Sequence, residues 1–177
     1  MKRLFLVRHA KSSWDHPGLA DHARPLADRG VRDARRMFAR LLDYGPRFDA
    51  VVTSDAKRAL ATADFLIDAI GSKNLRVVEE PRLYHASVAT IVEIARGQSD
   101  QLATIACVGH NPGFTDTANA LIEDLTLDNL PTCGIIGMEL GIDQWSAVTP
   151  GRAQLIYIDY PKNTAHPVVR PTNGSGR

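Results

Sequence analysis

Four short, largely apolar runs, at residues 4–7, 49–53, 75–78 and 104–108, alternate with stretches whose apolar residues recur at helical spacing. Each run is too short for a helix and reads as a strand buried on both faces. Strands that alternate with helices build a mostly parallel sheet covered by helices on both sides. Val31, Ala34, Phe38, Leu41 and Leu42 predict a first helix over 28–44, stopped by Gly45 and Pro46. The second helix takes Ser54 or Asp55 as its cap, draws its apolar positions from Leu60, Ala63, Phe65, Leu66, Ile67 and Ile70, and ends at Gly71. A third covers 88–96, and a fourth starts at Pro112, capped by Asn111, and runs to about Ile122. Two later strands, at 134–140 and 153–160, follow in hairpin-like succession.

No internal repeat or linker divides the 177 residues, which suit one domain over 1–160. The tail, 161–177, is rich in Pro, Asn, Gly and Ser, and its end, 172–177, is expected to be disordered. Hydrophobic residues make up 44% and charged residues 23%, the balance of a soluble globular protein. A formal net charge of +1 argues against general affinity for nucleic acid or membranes, so any preference for anions must be local. No apolar run approaches a membrane span, and Met1-Lys2-Arg3 opens into a strand without a signal-peptide core. A cytoplasmic location is the expectation. Cys107 and Cys133 lie far apart in apolar runs and read as small buried hydrophobes. His16, His22 and His85 match no standard ligand spacing, so neither metal nor cofactor is expected.

In open α/β sheets ligands sit beyond the carboxyl ends of the strands. Arg8 and His9 follow the first strand, Ser54 and Arg58 the second, and Gly109 and His110 the fourth. Three segments thus deliver cationic or proton-transferring groups to one edge. Arginine forks match phosphoryl oxygens, which makes Arg8 and Arg58 the candidate anion clamps. The helix start at Asn111-Pro112-Gly113 adds oriented N–H groups. A neutral histidine can accept a phosphoryl group and pass it to water, and neighbouring arginines favour the neutral ring. His9 is therefore the candidate nucleophile, with His110 a donor to the phosphoryl oxygens or a stabiliser of transition-state charge. The arginine run over 29–40 reads mainly as a solvated helix face. Trp14 either gates the pocket or covers apolar surface, and Trp145 is expected to cover the sheet edge.

Three motifs carry a resemblance: Leu6-Val7-Arg8-His9-Ala10; Thr53-Ser54, Arg58-Ala59 and Thr62-Ala63 in series; and Val108-Gly109-His110-Asn111-Pro112. Together they resemble the signatures of the histidine phosphatase superfamily, which includes the phosphoglycerate mutases. Lys11-Ser12-Ser13-Trp14 and Arg24-Pro25-Leu26, followed by Arg29-Gly30, are similar to the small phosphohistidine phosphatases of the SixA type. The likeness runs from about Lys2 to Tyr160. It implies a three-layer α/β/α sandwich with a six-stranded, mostly parallel sheet, the phosphoglycerate mutase-like fold. It also implies that His9 is phosphorylated, that Arg8, Arg58 and His110 complete the phosphate pocket, and that Ser12 lies near the phosphate.

One departure matters. Where mutases and broad-specificity phosphatases of this family carry a glutamate proton donor, this chain reads Arg82-Leu83-Tyr84-His85-Ala86, and Glu79 and Glu80 come too early. Asp15, Asp21 and His85 are the remaining candidate donors. A phosphohistidine imidazole needs less help to leave than an alkoxide, so the departure suits a P–N substrate. The chain also lacks the long insertions that cover the pocket in mutases, which suits a phosphorylated protein surface. The expected activity is a metal-independent phosphatase acting on protein phosphohistidine. Alternatives are a phosphomonoesterase or mutase of small phosphorylated metabolites and a non-catalytic phosphate-binding regulator.

Overall fold

In the computed structural model, which describes residues 1–167, the first strand, β1 (Arg3–Arg8), lies inside a six-stranded sheet. The other strands are β2 (Ala50–Thr53), β3 (Arg76–Glu79), β4 (Thr104–Gly109), β5 (Ile135–Glu139) and β6 (Gln154–Asp159). Their spatial order is β3-β2-β4-β1-β5-β6. Pairings of β1 with β4, β2 with β4 and β2 with β3 are parallel, whereas β5 runs antiparallel to both β1 and β6. The sheet is thus mixed but mostly parallel, and the hairpin expected of the last two strands is present.

Four helices cover it: α1 (Asp28–Tyr44), α2 (Lys57–Ile70), α3 (Val88–Arg96) and α4 (Gly113–Leu121). Alternation along β1 sorts them. Phe5 and Val7 pack with Met37, Phe38 and Leu41 of α1 and with Ala63 and Leu66 of α2. Leu4 and Leu6 pack on the opposite face with Ile91 and Ala95 of α3 and Phe114 and Leu121 of α4. Every one of β1's four apolar residues is fully buried, which explains a continuous rather than alternating apolar run. The result is the three-layer α/β/α sandwich.

Several local expectations need correction. Neither Ser54 nor Asp55 caps α2; Ala56 holds that position without a side-chain bond. Ser54 Oγ instead accepts from the Ala56 N–H, and Asp55 is drawn off to His22 Nε2 at 2.9 Å. Helix α4 begins at Gly113, one residue later than expected, with a cis Asn111–Pro112 bond before it. The Asn111 side chain still accepts from a helix N–H, that of Thr115. Trp145 does not cover the sheet edge. It is fully buried in the α3–α4 layer, with its indole N–H on the Leu102 carbonyl and Lys2 Nζ 5.9 Å from its ring centroid.

Cys107 and Cys133 are buried free thiols, each pushed up to about 12 by desolvation. The first part of the tail folds back along α1. Arg36 donates to the Pro161 carbonyl and Arg40 to that of Asn163, while Arg40 also pairs with the fully buried Asp159 at 2.9 Å. The stretch expected to be disordered, 172–177, lies outside the described residues. Among the described residues no helix is long and apolar enough to cross a membrane.

Gly30 links the fold to the site. It sits within the first turn of α1 against the backbone of Lys11, and a Cβ there would overlap the Lys11 carbonyl oxygen. By helix propensity alone, Gly30→Ala would stabilise by about 1 kcal/mol. The overlap reverses the sign, with a net cost of about 1–3 kcal/mol typical of forced backbone displacement. The thermal midpoint of Gly30→Ala should therefore fall, at roughly 2–4 °C per kcal/mol for a chain of this size. An unchanged or raised midpoint would contradict this packing.

Candidate active site

His9 leaves the end of β1 with its backbone fixed on both sides. Its N–H donates to the Gly109 carbonyl at 2.9 Å, and its carbonyl accepts from the Cys133 N–H at 3.0 Å. Cys133 takes a left-handed φ of 58°, unfavourable for a side-chain-bearing residue, to present that N–H. The next residue is fixed too: the Ala10 N–H donates to Thr62 Oγ1 at 3.0 Å, and the Thr62 hydroxyl donates to the Arg58 carbonyl. The Ala10 carbonyl then lies 2.8 Å from His9 Nδ1. A carbonyl only accepts, so Nδ1 carries the proton and Nε2 carries the lone pair. Nε2 in turn receives Arg58 Nε at 3.3 Å.

Arg58, in the first turn of α2, is buried. Its two terminal nitrogens donate to Asp21, one to the backbone carbonyl at 2.6 Å and one to Oδ2 at 2.9 Å. Arg8 is anchored by Nη1 on the Leu130 carbonyl at 2.8 Å, while its buried Nε has no protein partner. The His110 ring centroid lies 5.1 Å from that of His9. Its Nε2 meets Ser54 Oγ at 2.9 Å, and its buried Nδ1 also has no protein partner. Buried polar atoms are rarely left unpaired, and here two of them belong to residues beside His9.

Ser12 is close to this group but committed elsewhere. Its Oγ accepts from Arg24 Nη2 at 2.5 Å. Arg24 is buried as well, donating to the Ser13 carbonyl and to Asp21 Oδ1, with its guanidinium 3.3 Å from the Trp14 ring centroid. Trp14, 71% exposed, thus covers Arg24 rather than apolar surface. Arg24 and Tyr84 are the residues that sequence reasoning passed over as site members. The Tyr84 hydroxyl donates to Asp21 Oδ2 at 2.7 Å, and its ring stands edge-on to His110 at 5.3 Å. The Arg-Pro-Leu motif could have marked Arg24; nothing in the sequence marked Tyr84.

The three candidate proton donors separate. Asp21 accepts from Tyr84, Arg58 and Arg24, and these bonds hold its carboxyl far below the usual carboxylate range. It is ionised at neutral pH, so in this arrangement it has no proton to give. Asp15 accepts from Ser13 Oγ and bonds none of the pocket residues among the described contacts. His85, exposed and with a left-handed φ of 52°, stacks on Tyr84 at 4.0 Å and lies 6.4 Å from His110 between ring centroids. Glu80 accepts from Arg82 on both carboxylate oxygens. Among the described residues no group of three or more His, Cys, Asp or Glu is arranged as a metal site.

Burial, with the charges of Arg58, Arg8 and Arg24, lowers His9 to about 4 against an opposing bond to Ala10. Burial, with His9 and Arg58, lowers His110 to about 3. Both rings are neutral near pH 7, as a nucleophile and a neutral hydrogen-bond donor require. The geometry can thus seat a phosphoryl dianion among arginine forks, with a lone pair aimed from one side.

Comparison with known proteins agrees with this construction. A family model, Histidine phosphatase superfamily (branch 1), matches residues 4–93. An uncharacterized protein of Mycobacterium tuberculosis is 35% identical over 166 residues, spanning 88% of this chain and all of that protein. A 2,3-bisphosphoglycerate-dependent phosphoglycerate mutase of Allorhizobium ampelinum is 37% identical over 82 residues, 45% of this chain and 39% of the mutase. The solved structure of SixA from Agrobacterium tumefaciens, a proposed phosphohistidine phosphatase, superposes with a TM-score of 0.76 at 26% identity. That superposition covers 90% of this chain and 98% of the other.

The lowered histidines fix a pH dependence. An unfolded histidine gains its proton near pH 6.5, whereas His9 and His110 stay neutral in the folded chain to about 4 and about 3. Unfolding therefore takes up protons in that window, and these rings cost stability as pH falls from about 6.5 toward 4. Imidazole resonances of His9 and His110 should keep neutral-form shifts down to about pH 5 in the ligand-free protein. Titration of either ring near 6.5 would overturn the electrostatic description.

Proposed function

This chain belongs to the histidine phosphatase superfamily, and from that premise we propose that it hydrolyses protein phosphohistidine through a covalent phosphohistidine at His9. Phosphatase chemistry through a histidine is what membership of the superfamily supports; His9 as the phosphorylated residue, the protein substrate and independence of metal are the parts proposed here. One observation carries the reading: two buried nitrogens without protein partners, Arg8 Nε and His110 Nδ1, belong to residues flanking a histidine whose Nε2 lone pair is free of its own proton.

In the first step the Nε2 lone pair of His9 forms a bond to phosphorus as the bond to the leaving group breaks. The electron pair of that bond stays on the leaving atom. A phosphohistidine protonated on its distal ring nitrogen departs as neutral imidazole and needs no acid from the enzyme. Arg8, Arg58 and His110 hold the equatorial oxygens through both steps. Proton retention on Nδ1 by the Ala10 carbonyl stabilises positive charge on the phosphorylated ring. Water then attacks phosphorus, Nε2 recovers its pair, and the water's proton passes to phosphate or solvent. The likeness to a SixA protein and the ionised state of Asp21 support a P–N substrate. The partial match to phosphoglycerate mutases favours a second reading, a phosphomonoesterase of small metabolites.

Incubation with a ³²P-phosphohistidine peptide in EDTA should yield an acid-labile, alkali-stable phosphoenzyme and free phosphate. His9→Ala should lose both, with turnover down at least about a thousandfold. Equal release by wild type and variant would end the His9 mechanism. Activity lost to the chelator would end metal independence, and turnover of an aryl ester without the peptide would favour the second reading. Arg58→Ala should lower kcat/KM by about a hundredfold or more, since it removes a charge-assisted donor and the partner of Nε2.

A further inference from the structure

Asp21 is an anion inside an anion pocket. Its carboxylate lies one guanidinium away from the nucleophile, because Arg58 reaches His9 Nε2 with its Nε and Asp21 Oδ2 with an Nη. The same carboxylate takes Arg24 on one oxygen and Tyr84 on the other. Its side chain is 45% exposed, whereas the Arg24 and Arg58 that it binds are buried, so the carboxylate is the solvent-facing member of the three.

From this arrangement we infer that Asp21 is a specificity-determining residue. It admits phosphoryl donors whose leaving group is neutral or cationic, such as a phosphoramidate imidazole, and rejects those carrying a second anion near the reacting phosphate. The inference rests on the phosphoryl pocket proposed above and narrows the leaving group that this pocket accepts.

Charge counting gives the reason. Arg8, Arg24 and Arg58 are the cations that act on the nucleophile, and Asp21 is the anion bound among them. Both pocket histidines are neutral. A bound phosphoryl dianion therefore brings the cluster of three cations and one anion to zero. No cation of this cluster remains for a carboxylate or second phosphate on the same substrate, and such a group would enter beside the Asp21 carboxylate. A leaving imidazole adds no negative charge and can be cationic, which the carboxylate favours. The half-matched phosphoglycerate mutases are so named for a substrate with exactly the extra anion that this pocket leaves unbalanced.

Asp21 also steadies Arg58 and Arg24, so loss of activity on mutation would not separate selection from support. Discrimination between two ligands does. Binding of 4-carbamoylphenylphosphonate and 4-carboxyphenylphosphonate, which differ by one charge and cannot be hydrolysed, is measured by calorimetry at pH 8. Wild type should bind the carbamoyl compound about tenfold more tightly. In Asp21→Asn and Asp21→Ser that preference should shrink at least about threefold, and Asp21→Glu should restore it. Equal affinity of wild type for the two compounds would overturn the inference without any variant, as would a preference unchanged in a folded Asp21→Asn or Asp21→Ser. Failure of both phosphonates to bind would overturn it as well. Failure of the phosphatase reading appears separately, as absence of the trapped phosphoenzyme.

Discussion

The hydrogen bond between the Ala10 carbonyl and His9 Nδ1 decides what the rest of the site can be. It places the proton on one ring nitrogen and so places the lone pair on the other. Everything around it keeps that carbonyl still. Gly109 and Cys133 hold the His9 peptide from two neighbouring strands' ends, Thr62 holds the Ala10 N–H from α2, and Gly30 permits α1 to lie on the following residue. Elements far apart in sequence thus converge on one peptide unit. The precision is that of a rigid scaffold rather than of a loop, which is what a fixed nucleophile needs.

Electrostatics follow from the same crowding. Burial is what chiefly keeps both histidine rings neutral, and arginine charge adds to it, from Arg58, Arg8 and Arg24 at His9 and from Arg58 at His110. Guanidinium groups tolerate this because they stay charged even when partly desolvated. Asp21 lets Arg24 and Arg58 approach each other, since one carboxylate bridges both and screens their repulsion. Removing it would leave two buried cations with fewer partners, a costly state. That position bears on the acid role considered for Asp21, because a bridge between cations is the last place a carboxyl keeps a proton.

The layers of the fold were readable because burial writes directly into hydrophobic pattern. Residues 4–7 show no alternation, and they lie where both faces are covered; helices α1 and α3 show their period and occupy the bounds expected of them. Arg8, His9, Arg58 and His110 were readable as a set because strand ends share an edge. The loop over 11–24 carries no period, so its inward turn at Arg24 left no trace in spacing. Tyr84 meets Asp21 across 63 residues, a contact that only the folded chain specifies. The helix caps misread at Ser54 and Asp55 share a cause: both side chains had better partners in His110 and His22.

The burial of Cys107 and Cys133 has a consequence for endurance. A thiolate nucleophile works by being the form that oxidants attack, so cysteine-based phosphatases are exposed to peroxide through the very ionisation that makes them reactive. The reactive atom proposed here is an imidazole nitrogen, and both thiols are protonated and shielded from solvent. The site therefore offers peroxide and alkylating agents no thiolate, and the phosphoryl transfer proposed for His9 would be uncoupled from the redox state of its surroundings.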